Sequence, residues 1–212
     1  MGGAKKESII AFPEDYVVID IETTGMSPKY DEIIELSAIN VCNNQIQDHY
    51  SSLVQPPAYL TSDGDSPELI TEFVPEFITE LTGITNQMLS DAPTIDKVLP
   101  EYLDSIGDQL VIGHNVSFDI NFIRQNSMSL GLSEFNPNYT DTLRICRKLF
   151  HEKHHHRLKD VVKYLDVSYS PDLETMTTAS PSKKGKISKS SRKMFSMKCL
   201  HGKYSRGLRE VS

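Results

Sequence analysis

Two short stretches carry acids at spacings that could do chemistry. The first is Asp20-Ile21-Glu22-Thr23-Thr24-Gly25, which follows the β-branched run Tyr16 to Ile21. Such a run predicts a buried strand ended by a turn. Strand side chains alternate faces, so Asp20 and Glu22 project to one side while Ile19 and Ile21 pack on the other. Two neighbouring carboxylates repel unless protonated or neutralised by cations, and oxygen-only ligands suit Mg²⁺ or Mn²⁺. A solvated strand end with two harmless acids has the same pattern. The second stretch is Gly113-His114-Asn115-Val116-Ser117-Phe118-Asp119. Asp119 falls in the first turn of an expected helix, among Ile120, Phe122 and Ile123, where a carboxylate is costly to bury without a partner. An acid that simply complements the helix dipole also sits there.

The elements that must position these acids follow from periodicity. Ile33 to Cys42 and Ile46 to Val54 read as strands joined by Asn43-Asn44, a hairpin signal. Pro56 to Asp65 is punctuated as a loop, and Glu68 to Leu81 as short helical pieces interrupted at Pro75. Val98, Leu99, Tyr102, Leu103 and Ile106 mark a helix over Asp96 to Ile106. A strand over Gln109 to Ile112 precedes the helix of the second stretch, about Ser117 to Leu130. Helices are also expected over Thr142 to Phe150 and about His156 to Leu165. Strands followed by strand–helix alternation predict an α/β domain.

The chain has 212 residues and a formal charge of −7, unevenly spread. Ser180 to Ser212 holds ten Lys/Arg and one acid, Glu210, a net of +9; residues 1–179 hold 12 basic and 28 acidic residues, a net of −16. An acidic body argues against a broad nonspecific DNA-binding face there and is compatible with a site that holds divalent cations. No run approaches the length of a membrane span, and no signal-peptide stretch follows Lys5 and Lys6. Cys42, Cys146 and Cys199 form neither a disulfide framework nor a metal knuckle. A cytoplasmic location is expected.

Together the two acidic stretches are more specific than either alone. Val17 to Gly25 and His114 to Asp119 resemble the first two motifs of the DEDD exonuclease superfamily. Within it they resemble the group of the epsilon proofreading subunit of bacterial DNA polymerase III and the PolC-type exonuclease domain. Leu81 to Thr85, Met88-Leu89 and Tyr139 to Leu143 resemble the intervening and following segments; Pro57 to Phe77 is longer than usual and reads as an inserted loop. The resemblance implies a ribonuclease-H-like mixed sheet flanked by helices and two-metal hydrolysis of DNA from a single-stranded or frayed 3′ end. Asp20, Glu22 and Asp119 would hold two Mg²⁺ or Mn²⁺ ions, one activating water and the other stabilising the leaving 3′ oxygen. Thr23 would contact the terminal nucleotide, with Phe118 packing either that site or the core. His114 is expected to shape its turn, and Asn115 to be structural. A DNA polymerase subunit is the implied protein partner.

The family's third motif, a His followed five positions later by an Asp, is missing where it is expected. That place reads Ser170-Pro171-Asp172-Leu173-Glu174-Thr175. One formal match lies upstream, His155 and Asp160, but too near Asp119 in sequence and on what reads as a packing helix. The run His154 to His156 reads as a solvated helix start. The expected organisation is an N-terminal extension over 1–14, an exonuclease domain over 15–170, and a low-complexity basic tail over 171–212. A frameshift near Ser170 would explain the loss; so would a natural member that binds a 3′ end or a polymerase subunit without cutting. A ribonuclease of the same superfamily is a third reading.

The Lys/Ser-rich tail has too little periodic apolar surface to offset chain entropy. Residues 171–212 should therefore exchange amide hydrogens far faster than the core strands, and core-like protection there would refute the assignment.

Overall fold

The computed structural model describes residues 13–60, 69–70 and 73–165. Residues 1–12, the tail 171–212 and the expected place of the third motif lie outside them. Strand β1 (Tyr16–Thr23) pairs antiparallel with β2 (Ile33–Cys42), which pairs antiparallel with β3 (Gln45–Leu53). Asn43 and Asn44 both adopt left-handed φ values, 50° and 60°, as the two-residue hairpin requires.

The expected loop and inserted segment hold a correction. Short strands β4 (Tyr59–Leu60) and β5 (Leu69–Ile70) pair within it. Pro75 does not interrupt a helix but precedes one: α1 (Glu76–Thr82) begins directly after it, because the first turn of a helix needs no proline N–H. Gly83, at φ 81°, closes α1 by giving its N–H to the Thr79 carbonyl. The one-turn α2 (Asn86–Leu89), absent from the sequence reading, is capped by Thr85, whose side chain accepts the Met88 N–H.

The second half alternates helix and strand: α3 (Ile95–Ile106), β6 (Val111–Gly113), α4 (Ser117–Ser129), β7 (Tyr139–Asp141), α5 (Thr142–Leu149) and α6 (Leu158–Tyr164). The helix expected from His156 starts two residues later, at Leu158. Strands β6 and β7 join β1 in parallel, giving a five-stranded mixed sheet in the order β3-β2-β1-β6-β7.

Both sheet faces are covered. Val17, Ile19 and Ile21 belong to the main core, together with Val98, Leu99 and Tyr102 of α3 and Ile120, Phe122 and Ile123 of α4. Fully burying an aliphatic or aromatic side chain of this size contributes about 1.5–3 kcal/mol. Tyr16 and Val18 point to the other face, into a smaller cluster with Ile39, Val41 and Ile112 that Leu158 of α6 adjoins. Asp20 and Glu22 continue this second row towards the end of β1. Among the described residues no helix is long and apolar enough to cross a membrane.

Gly113 ends β6 at a position where a side chain does not fit. A Cβ there would lie 2.6 Å from Cγ2 of Val116, a side chain itself fully buried. Gly113→Ala should destabilise the fold by about 1–3 kcal/mol through overpacking, read by urea unfolding; wild-type stability would show that this junction yields.

Candidate active site

Strand β1 outruns its parallel neighbour. Its register with β6 ends at Val18↔Ile112, whereas its antiparallel register with β2 continues to Thr23. The N–H of Val17 points to the β6 side, where it donates to the Leu110 carbonyl. By strand alternation the N–H of Ile21 points the same way, beyond the end of β6. There it donates to Asp119 Oδ1 at 3.0 Å, across 98 residues of sequence. The first turn of α4 thus brings its acid against the peptide between Asp20 and Glu22.

These three acids line one cleft of about 330 Å³. Glu22 and Asp119 are buried, 7% and 6% exposed, and Asp20 is half-buried. Burial pushes the Tyr102 hydroxyl well above its ordinary pKa, and the charges of Asp119 and Asp20 push it further, so both acids stand within electrostatic reach of one side chain. Among the described residues no three His, Cys, Asp or Glu side chains stand where they could hold a metal ion. The acids share the cleft without converging on one point.

Sequence reasoning missed a fourth acid beside them. Glu35 of β2 lies directly across from Glu22 and is 3% exposed; the Ser51 hydroxyl donates to its Oε1 at 3.3 Å. Like charges directly opposite on paired strands are unfavourable, so the register sets two acids against each other at this end of the sheet. A Glu inside the apolar run Ile33-Ile34-Glu35-Leu36 was the available signal.

The donor set fits a hard divalent cation: it offers carboxylate oxygens, and no Lys or Arg is among the residues described as lining the cleft. Thr23 lines it too, its hydroxyl donating to the Gly25 carbonyl at 2.6 Å. Phe118 lines the cleft and packs on Phe122 at 4.8 Å between ring centroids. The rim carries three exposed apolar side chains, Met26, Phe77 and Leu81, at 78%, 63% and 69% exposure.

The upstream pair stands apart from this cleft. His155 is exposed just before α6, and Asp160 is held at 2.9 Å by the guanidinium of Arg157, whose hydrogen bond lowers its pKa. Neither is among the residues described as lining the cleft.

His114 has both ring nitrogens engaged. Nε2 is 2.8 Å from the His156 carbonyl, which can only accept, so the proton is on Nε2. Nδ1 is 3.0 Å from the Thr142 hydroxyl. Burial lowers the His114 pKa; the His156 carbonyl and Asp141 oppose this, and Arg147 and His156 add to it. The neutral ring ties the turn before α4 to the start of α5 and to the segment before α6.

The family model RNase_T, described as Exonuclease, matches residues 17–171. The chain is 40% identical over 154 residues to the PolC-type DNA polymerase III of Bacillus cereus, covering 73% of this chain and 10% of that protein. It is 38% identical over 148 residues to DNA polymerase III subunit epsilon of Aquifex aeolicus, covering 70% and 66% respectively. The chain therefore spans about a tenth of its PolC-type relatives. Solved structures share the fold. Exonuclease X in complex with 5′-overhanging duplex DNA superposes with a TM-score of 0.58 at 20% identity, over 88% of this chain and 89% of that one. Escherichia coli exonuclease I in complex with a dT13 oligonucleotide gives 0.61 at 15%, over 88% and 39%.

A histidine whose folded pKa is lowered is protonated first in the unfolded chain. Stability is then complete above the ordinary value of 6.5 and falls as pH drops from there towards the folded pKa. Between about pH 7.5 and about pH 5.5 the wild type should lose more stability in urea than His114→Gln, whose other histidines are unchanged. Equal losses would mean that His114 titrates normally.

Proposed function

We propose, because the chain belongs to the exonuclease family, that it is a metal-dependent 3′–5′ exonuclease domain acting on single-stranded or frayed DNA ends. One observation carries the reading: the Ile21 N–H to Asp119 hydrogen bond sets a third acid beside Asp20 and Glu22 in one cleft. The family resemblance gives these acids the task of holding two Mg²⁺ or Mn²⁺ ions. When bound, such ions lower the pKa of water and stabilise charge on the attacking and leaving oxygens.

The chain's own groups bind and orient the end. Asp20, Glu22 and Asp119 offer the oxygens, with Asp20 the most accessible of the three. Thr23 and Gly25 line the cleft, where a terminal nucleotide would rest. Met26, Phe77 and Leu81 present apolar surface on which bases can pack; stacking of this kind contributes about 1–3 kcal/mol per base for aromatic side chains. Phe77 and Leu81 are one helical turn apart on α1 and so share a face.

Proton transfer is the weak point. His114 has both nitrogens committed, and His155 is exposed away from the cleft lining. Neither serves as a base for water, and the missing third motif would have supplied one. Hydrolysis by this chain is therefore impaired, with a DNA-replication role in the cytoplasm beside a polymerase as the setting of an intact version. A module that binds without cutting is the second reading, favoured by the sequence at Ser170 to Thr175.

Loss of a general base costs about 10²–10⁴ in rate. The full chain should show weak or undetectable release of nucleotides from a labelled single-stranded DNA 3′ end with Mg²⁺ or Mn²⁺. A version with an in-frame third motif should recover activity, and Asp119→Ala should abolish it again. Family-like rates from the present chain, lost in His155→Ala or Asp160→Ala, would make those two residues the true motif; preference for an RNA end would favour the ribonuclease reading.

A further inference from the structure

A buried carboxylate outside the cleft is hydrogen-bonded to the turn that launches α4. Asp141, 5% exposed, ends β7 and caps α5. Its Oδ1 accepts two backbone N–H groups, that of Leu143 at 2.9 Å and that of Asn115 at 2.9 Å. The first is an ordinary helix cap. The second crosses to the turn that launches α4, and it lands on a residue in the left-handed region, at φ 66°. Asparagine tolerates that conformation better than most residues, but still at a cost, and it persists only when neighbouring contacts fix it.

The consequences run directly to the acids. The Asn115 carbonyl receives the Phe118 N–H at 3.0 Å and the Val116 carbonyl receives that of Ile120 at 3.0 Å, so the turn sets the axis and phase of the first turn of α4. Asp119 lies between those two donors and reaches Ile21 from there.

We propose that Asp141 is a positioning residue for the candidate metal site, fixing Asn115 and through it Asp119. The proposal rests on the exonuclease reading of the cleft. It assigns Asp141 no contact with metal or nucleic acid; the residue is absent from the described cleft lining. What matters is an acceptor of the right reach, since the two bonds are charge-assisted but their geometry is that of any carboxamide or carboxylate oxygen. Groups that orient metal-holding side chains change metal affinity about 10–100-fold when removed.

Three substitutions in the full chain separate capping from positioning, read by Mn²⁺ titration in electron paramagnetic resonance and by thermal unfolding without metal. Asp141→Asn keeps an oxygen at the same reach and should bind Mn²⁺ within about five-fold of wild type. Asp141→Ser places its single oxygen one bond nearer the backbone, where it caps Leu143 but falls short of Asn115. It should keep most of the thermal stability yet weaken Mn²⁺ binding at least about ten-fold. Asp141→Ala should lose both. The proposal is overturned if Asp141→Ser binds Mn²⁺ like wild type, which makes the residue a helix cap only. It is also overturned if Asp141→Asn binds as poorly as Asp141→Ala, which makes the charge itself the contribution. Asp20→Asn is the control on the site: undiminished Mn²⁺ binding there would sink the metal reading of the cleft, independently of how the Asp141 variants behave.

Discussion

The hydrogen bond from the Ile21 N–H to Asp119 is the joint on which this domain depends. A parallel sheet whose strands differ in length leaves backbone groups without a strand partner at its uneven edge. A buried N–H left unpaired costs about as much as a lost hydrogen bond. Here β6 stops at Gly113 while β1 runs on to Thr23. The chain turns into α4 at that gap and fills it with a carboxylate. One contact thereby completes the sheet edge and collects the acids. The cleft lies at the carboxyl ends of β1 and β6, where parallel α/β sheets open a crevice beyond their strand ends.

Gathering acids in this way opposes stability, and the surrounding fold absorbs the opposition. Glu22 faces Glu35 across the β1–β2 pair, both buried, while Asp119 and Asp20 add their charges to the same region. Apolar packing holds the backbone regardless. Val17, Ile19 and Ile21 are anchored in the main core, so β1 cannot relax away from the charge it carries. The alternation of a single strand thus gives one row to the core and the other, at its far end, to the cleft. Such a site is less stable than an apolar one would be, a common cost of function.

Several features were legible because they are local. Asn43-Asn44 named its own turn, since both positions need positive φ. The spacing of Val98, Leu99, Tyr102 and Ile106 identified the buried face of α3. The pairing of Asp20 with Glu22 followed from strand alternation alone. Other features were not legible for equally physical reasons. Pro75 reads as a breaker in a propensity argument but starts a helix, because the same missing N–H is harmless at a first turn. Glu35 is hidden in an apolar strand, and its significance arises only from the register that sets it opposite Glu22. Asp141 lies within the Tyr139 to Leu143 segment that resembles the family, yet its second hydrogen bond joins residues 26 apart in sequence.

Residue order alone establishes which residue types are available and which of them share a strand face or a helical turn. That was enough for an α/β domain, for two acidic motifs and for the family resemblance. It could not determine that Asp119 meets the peptide of Ile21, that Asp160 turns to Arg157 instead of the cleft, or that both nitrogens of His114 are spent on holding a turn. Those outcomes depend on which strand ends first and on where each turn directs the next helix. Periodicity and propensity act over a few residues, whereas those junctions are fixed by contacts between segments brought together only when the sheet closes.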